Sequence, residues 1–252
     1  MKAMLAKTYE NQHVTGWLMS EKLDGVRAIW TGAELISRNG NKFFAPAWFT
    51  DQLPAGVCLD GELHIGRGLF QKTVGSVRKK SPVDAEWQAI RYCVFDAPEH
   101  SGIFEKRLAY CAEILTGCQV AEVVEHVECK NQTHLEQYFA ALVAAGAEGV
   151  MLRRHGSWYD QRRSENLLKM KPFVSEEAEV IGYQDGEGKH LGRLGALMVR
   201  WQGVVFGLGT GLSDAIREAP PRIGAQVSFV FQGLTDGGCP RFPVFLSERN
   251  YE

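Results

Sequence analysis

The sequence predicts an α+β protein of two domains: a mixed-sheet domain over residues 1–173 and a small Greek-key β-barrel over 174–252. Three observations carry this. Residues 14–65 alternate apolar and polar between turn signals, two amphipathic helical patterns follow, and beyond residue 173 the chain turns to short runs rich in Val, Phe and Gly. At 252 residues it is long enough for one or two domains with a sizeable core.

In the first domain the turns "TGAE", "RNGN" and "LPAG" separate the strands "GWLMSEKL", "VRAIWTG", "ELISRNG" and "VCLDGELHI". The stretch "SEKLDGVRAIWTG" reads as a β-hairpin. "AIRYCVFDAP" is the next strand. "FEKRLAYCAEILTG" is a helix with Leu108, Cys111, Ala112 and Leu115 on one face, stopping at Gly117. "THLEQYFAALVAAG" is a second, with Thr133 as N-cap, Glu136 at N3 and Gly146 near its C-terminus. "GVMLRR" and "ENLLKMKPF" complete the strands. "VSEEAE" reads as a polar connection. After it, "AEVIGYQDGEG", "GALMVRW", "VVFGLGTG" and "AQVSFVFQGL", with the short helix "SDAIREAP", fit a barrel of the OB type.

Composition narrows the chemistry. The formal net charge is −2, so no global field draws the chain to nucleic acid. The local charge is uneven: "RGLFQKTVGSVRKK" (67–80) has five basic residues and no acidic one, whereas 99–136 holds seven Glu against three basic residues. The six cysteines (58, 93, 111, 118, 129, 239) form no C-x-x-C pair and have no His at zinc spacing, so they read as buried thiols. No eighteen-residue apolar run is present, and no membrane span is expected. The start "MKAMLAKTYENQH" has no apolar signal-peptide region, which points to a cytoplasmic protein or a mature form without its leader. "QDGEGKH" lacks the first glycine and the Ser/Thr of a phosphate-binding P-loop, and "FGLGTG" opens no long helix, so neither is a nucleotide fingerprint.

One motif stands apart. Lys22, Asp24, Gly25 and Arg27 spell K-x-D-G-x-R, a pattern expected by chance about once in 400 chains of this length. With it stand, in order, "SRNG" with Arg38, "DGEL" with Glu62, "CVFDAP" with Phe95, "EGVMLRR" with Glu148, and "LLKMK" with Lys169 and Lys171. This collinear set resembles the covalent nucleotidyltransferases: ATP-dependent DNA ligases, RNA ligases and mRNA capping enzymes. The closing "PRFPVFLSERN" is similar to the last motif of DNA ligases, and the small size to minimal bacterial ligases of the E type. The resemblance implies an ATP-grasp-like nucleotidyltransferase domain ahead of the OB domain.

It further implies an ATP-dependent DNA ligase that seals 5′-phosphate/3′-hydroxyl nicks in duplex DNA. Lys22 would take AMP from ATP, with Arg27, Lys169 and Lys171 as its catalytic partners. Glu21, Lys22, Arg27, Arg38, Glu62, Phe95, Glu148, Arg163, Lys169 and Lys171 would bind the nucleotide, Phe95 by stacking on adenine. Arg241 and Arg249 would reach the β and γ phosphates, although "SERNYE" lacks the R-x-D-K ending of some ligases. ATP is favoured over NAD⁺ because the extra N-terminal domain of NAD-dependent ligases is absent. A monomer is expected, in the periplasm after removal of a leader if of E type, with the cytoplasm as alternative.

Elementary chemistry suits these residues. An ordinary lysine leaves only about one amine in a thousand neutral at pH 7.4, and nearby cations favour the neutral, nucleophilic form. Those cations also neutralise the α-phosphate as pyrophosphate leaves. Glu62 and Glu148 offer hard oxygens to Mg²⁺, with Mn²⁺ as alternative, or hydrogen bonds to the ribose hydroxyls, the family placing Glu62 at the ribose and Glu148 nearer the metal. DNA would be held through its phosphates, by Arg67, Lys72, Arg78, Lys79 and Lys80, with Lys189, Arg193 and Arg200 completing a clamp from the barrel. The rivals are an RNA ligase or guanylyltransferase and a non-catalytic nucleic-acid-binding OB module.

Overall fold

The computed structural model describes residues 2–231, 233–235 and 237–249. The chain divides into two compact units, Met1–Lys171 and Pro172–Glu252, against the expected break after Phe173.

Unit one is built on two five-stranded mixed sheets. The first has β1 (Leu5–Thr8), β2 (Leu18–Glu21), β8 (Val127–Glu128), β9 (Val150–Arg153) and β10 (Arg163–Met170), in the order β1-β10-β9-β2-β8. The second has β3 (Val26–Trp30), β4 (Leu35–Ser37), β5 (Leu59–His64), β6 (Arg91–Asp96) and β7 (Ala121–Val123), in the order β4-β3-β5-β6-β7. The pairs β1/β10 and β6/β7 are parallel and the others antiparallel.

Each sheet buries one face. Ala28 and Trp30 of β3 join Leu59, Leu63, Tyr92 and Val94 in a core shared with the helices α1 (Ala47–Thr50), α2 (Phe70–Val77), α3 (Asp84–Trp87) and α4 (Phe104–Ile114) through Phe49, Val77, Trp87 and Cys111. Met19, Leu152 and Leu168 pack with Leu135 of α5 (Gln132–Ala144) in a separate core. Because side chains alternate along a strand, the residues between these, Ser20, Arg27, Met151 and Arg153, face the other way.

The hairpin expected through "SEKLDGVRAIWTG" does not form. β2 pairs with β8 and β9, whereas β3 pairs with β4 and β5, so residues 22–25 cross from one sheet to the other. Gly25 makes the crossing tight: a Cβ there would lie 2.4 Å from the Leu63 carbonyl oxygen. Alternation alone does not say which strand a strand will pair with.

Other local expectations are corrected. The second helix is capped by Asn131, whose side chain accepts from the His134 N–H at 2.9 Å; Thr133 lies inside the helix. On α4 the buried face is Phe104, Arg107 and Cys111, while Ala112 is exposed, because Arg107 finds a buried carboxylate. "VSEEAE" is no connection but the first half of β11 (Val174–Asp185), its backbone satisfied by pairing with β14 (Gln226–Phe231). The basic segment 67–80 contains α2.

Unit two orders β13 (Val204–Leu208), β12 (Leu194–Trp201), β11, β14 and β15 (Val244–Arg249) in one antiparallel OB-type sheet around Leu197, Val199, Phe206, Val227, Phe229 and Phe245. The expected barrel is not closed by a ladder; one isolated bridge, Thr210 to Val244, joins its edges. Helix α6 (Asp214–Glu218) sits beneath, capped by Ser213. Among the described residues, no helix is long and apolar enough to cross a membrane, and every cysteine is a free thiol. Burial pushes Cys58, Cys93 and Cys111 up to about 12, so they are inert thiols at neutral pH.

Gly149, at φ +149°, precedes β9 where a Cβ would stand 2.1 Å from the Met170 carbonyl oxygen. Gly149→Ala therefore lowers the unfolding free energy by about 2–3 kcal/mol, measured by urea denaturation.

Candidate active site

The inner faces of the two sheets of unit one enclose a cavity of about 300 Å³. The first sheet contributes Met4 to Ala6, Ser20, Glu21, Met151, Arg153, Arg163, Leu167 and Lys169; the second contributes Arg27, Arg38, Asp60, Glu62, Phe95 and Asp96. Lys22 lies on the crossing between them, and its backbone N–H donates to the Gly149 carbonyl at 2.9 Å. Residues separated by up to 165 positions, Met4 to Lys169, are thus brought together by strand order alone.

Lys22 Nζ donates to Glu148 Oε2 at 2.5 Å, and Lys171 pairs with the other oxygen of the same carboxylate. Burial opposes the charge on Glu148, but Lys22 and Lys171 outweigh it and hold the carboxyl below its ordinary range. Lys169 is pushed down from the ordinary lysine value by burial, then by Lys171, Lys22 and Arg163. The sequence expectation of cations crowding Lys22 lacked this shared carboxylate, which holds the lysine ammonium in place.

Glu62 has the opposite environment. Burial pushes its carboxyl up to about 8, despite Lys22 and Arg27, and Asp60 and Glu148 add to the rise. It is therefore largely a neutral acid at pH 7, suited to hydrogen-bonding hydroxyl groups. Glu148 is the ionised carboxylate of the two, each of its oxygens on a lysine. Among the described residues no group of three or more His, Cys, Asp or Glu could hold a metal, so an ion here would draw most of its ligands from phosphates and water, as Mg²⁺ commonly does.

Arg27 is fixed from three sides. Its Nε and Nη2 donate to Asp60 at 2.9 and 2.5 Å, its Nη1 donates to the Met4 carbonyl at 2.7 Å, and it lies 5.3 Å from the Phe95 ring centre. The Tyr159 hydroxyl donates to Asp60 at 2.6 Å and accepts from the Met4 N–H. At the other end Asp96 accepts from Arg107 at 2.6 Å and Arg153 at 2.5 Å. Sequence reasoning missed Asp60, Tyr159, Asp96, Arg107, Arg153 and the cavity residue His126. The quoted motifs "DGEL" and "CVFDAP" contain these carboxylates, but only the fold shows which arginines meet them.

The remaining expected residues are placed as follows. Arg38 and Arg163 are exposed on the cavity wall, and Arg163 donates to the Ala6 carbonyl. Glu21 is gripped by Arg67 through two 2.8 Å bonds, and Arg67 also donates to Ala145, which commits this arginine to the domain itself. Lys79 pairs with Glu86, while Lys72, Arg78 and Lys80 are exposed. In unit two, Arg193 pairs with Asp214, Arg200 with Glu179 and Arg249 with Glu177; Lys189 and Arg241 are exposed. The last three residues of "SERNYE" lie outside the described residues.

The family described as ATP dependent DNA ligase domain matches residues 1–171, and that described as DNA ligase OB-like domain matches 185–249. A DNA ligase of Haemophilus influenzae is 35% identical over 248 residues, 98% of this chain and 91% of that protein. A solved structure from a study of Lig E DNA ligases is 38% identical with a TM-score of 0.85, covering 99% of both chains. The Chlorella virus DNA ligase-adenylate is 29% identical with a TM-score of 0.59, again over 99% of both.

Two outcomes follow from the buried carboxylates. Asp60→Ala leaves Arg27 without its counter-charge and lowers the unfolding free energy by about 3 kcal/mol in a urea titration. Glu62→Gln acts with pH. The native carboxyl keeps a proton that the unfolded chain gives up above about 4.5, so the parent loses stability as pH rises from 4.5 towards 8. The Tm advantage of Glu62→Gln accordingly widens over that window and levels off above it in thermal melts.

Proposed function

The chain belongs to the ATP-dependent DNA ligases, and on that premise we propose that it seals 5′-phosphate/3′-hydroxyl nicks in duplex DNA by passing one adenylyl group from Lys22 to the DNA. The observation that carries this is Lys22 at the mouth of a cavity lined by Phe95, Arg27, Glu62 and Lys169, with its amine held on Glu148.

In the first transfer the Lys22 amine attacks the α-phosphorus of ATP. A P–N bond forms, the P–O bond to pyrophosphate breaks, and the amine proton passes to solvent or a neighbouring oxygen. Glu148 aims the amine, while Lys169, Arg27 and Lys171 offset the charge on the phosphate. Glu62, as a neutral acid, hydrogen-bonds the ribose hydroxyls, and Phe95 supplies a stacking face. Mg²⁺ or Mn²⁺, when bound, would be held by Glu148 and would supply further neutralisation of the phosphates. In the second transfer the 5′-phosphate of the nick attacks the same phosphorus and the lysine nitrogen leaves. In the third the 3′-hydroxyl attacks the activated 5′-phosphate and AMP departs. The exposed cations Lys72, Arg78 and Lys80 suit DNA phosphates, and the chain acts as a monomer.

Incubation with α-labelled ATP and a divalent ion tests this. The parent acquires alkali-stable label that acid or acidic hydroxylamine releases, and Lys22→Ala acquires none while still sealing nicks already carrying 5′-AMP. Retention of label by Lys22→Ala would sink the reading.

A further inference from the structure

His126, in the segment between β7 and β8, lines the same cavity with Phe104, Val124 and Met151, and the transfer chemistry leaves it unused. Its ring meets Phe104 nearly edge-on, the ring centres 5.2 Å apart and the planes at 67°. Nδ1 lies 2.8 Å from the Val124 carbonyl oxygen. A carbonyl only accepts, so Nδ1 carries the hydrogen, and in the neutral ring Nε2 is left as a lone-pair acceptor. Burial lowers the imidazole from its ordinary value, and this, with Arg153, outweighs Val124 and Asp96. The ring is therefore neutral at physiological pH.

The cavity's carboxylates are taken or neutral. Asp60 holds Arg27 and Tyr159, Asp96 holds Arg107 and Arg153, Glu21 holds Arg67, and Glu62 is protonated. No protein donor among the described residues bonds His126 Nε2.

We propose that His126 selects the purine, its Nε2 accepting a hydrogen bond from an exocyclic 6-amino group so that adenine is retained and a 6-oxo purine refused. Adenine presents N–H at that position. Guanine presents a carbonyl oxygen, which meets Nε2 lone pair to lone pair, with no hydrogen between them. This rests on the cavity being the nucleotide site. His126 is thus a specificity residue remote from the reacting phosphorus.

The test compares ATP, GTP and purine riboside triphosphate, which lacks the 6-amino group, as label donors to the protein alone. The parent is labelled faster by ATP than by the purine riboside nucleotide, by about tenfold in the second-order rate constant of labelling, the worth of one buried hydrogen bond, and disfavours GTP more strongly. His126→Phe, which fills the space without an acceptor, and His126→Ala both bring the first ratio to about one, through the half-saturating ATP concentration rather than the limiting rate of labelling. A parent that uses both nucleotides equally overturns the proposal even if neither variant folds. Variants that keep the tenfold ratio while losing rate on both nucleotides also overturn it, leaving His126 a packing residue. A parent labelled by none of the three overturns the nucleotide-site reading beneath it.

Discussion

Two buried carboxylates of one sheet reach across the cavity to the other, and the site depends on them. Asp60 on β5 takes Tyr159 from the β9–β10 loop, and its partner Arg27 reaches the Met4 carbonyl ahead of β1. Asp96 on β6 takes Arg153 from β9 and Arg107 from α4. A charge removed from water is tolerated only where its partner and hydrogen bonds are all in place. Sliding one sheet over the other by a residue would leave buried charges unpaired, so these bonds select one spacing between the sheets. The cavity between them takes its width from that spacing.

Electrostatics then gives two carboxylates of the same type different roles. Glu148 sits between two lysines, which keep it ionised. Glu62 stands beside Asp60 in a drier place, which keeps it protonated. The distinction follows from neighbours that are remote in sequence. Had both been ionised, two negative charges would crowd the same cavity; had both been neutral, nothing would pair with Lys22.

Much of this was legible in the sequence. Strand alternation is local, so β2 to β6, β9 and β10 were found near their true positions, and the motif residues were named because their order along the chain is distinctive. What failed depended on long-range pairing. "SEKLDGVRAIWTG" alternates as a hairpin would, yet each half has better partners in a different sheet. Arg107 reads as polar until Asp96 is brought beneath it, and "VSEEAE" reads as a connection until β14 lies alongside. His126 belongs to no recognisable pattern, since its meaning comes from the Val124 carbonyl two residues away and from the cavity it faces.

The crossing that carries Lys22 has a consequence for cooperativity. Lys22 is tethered to both sheets at once, with β2 on one side and β3 on the other; its own N–H closes against Gly149, and Gly25 on the same crossing against Leu63. A domain that has frayed one sheet therefore retains no partial site. Local opening and loss of nucleotide binding become a single event, so the free energy of binding adds to the resistance of the whole domain against unfolding, rather than to that of one loop.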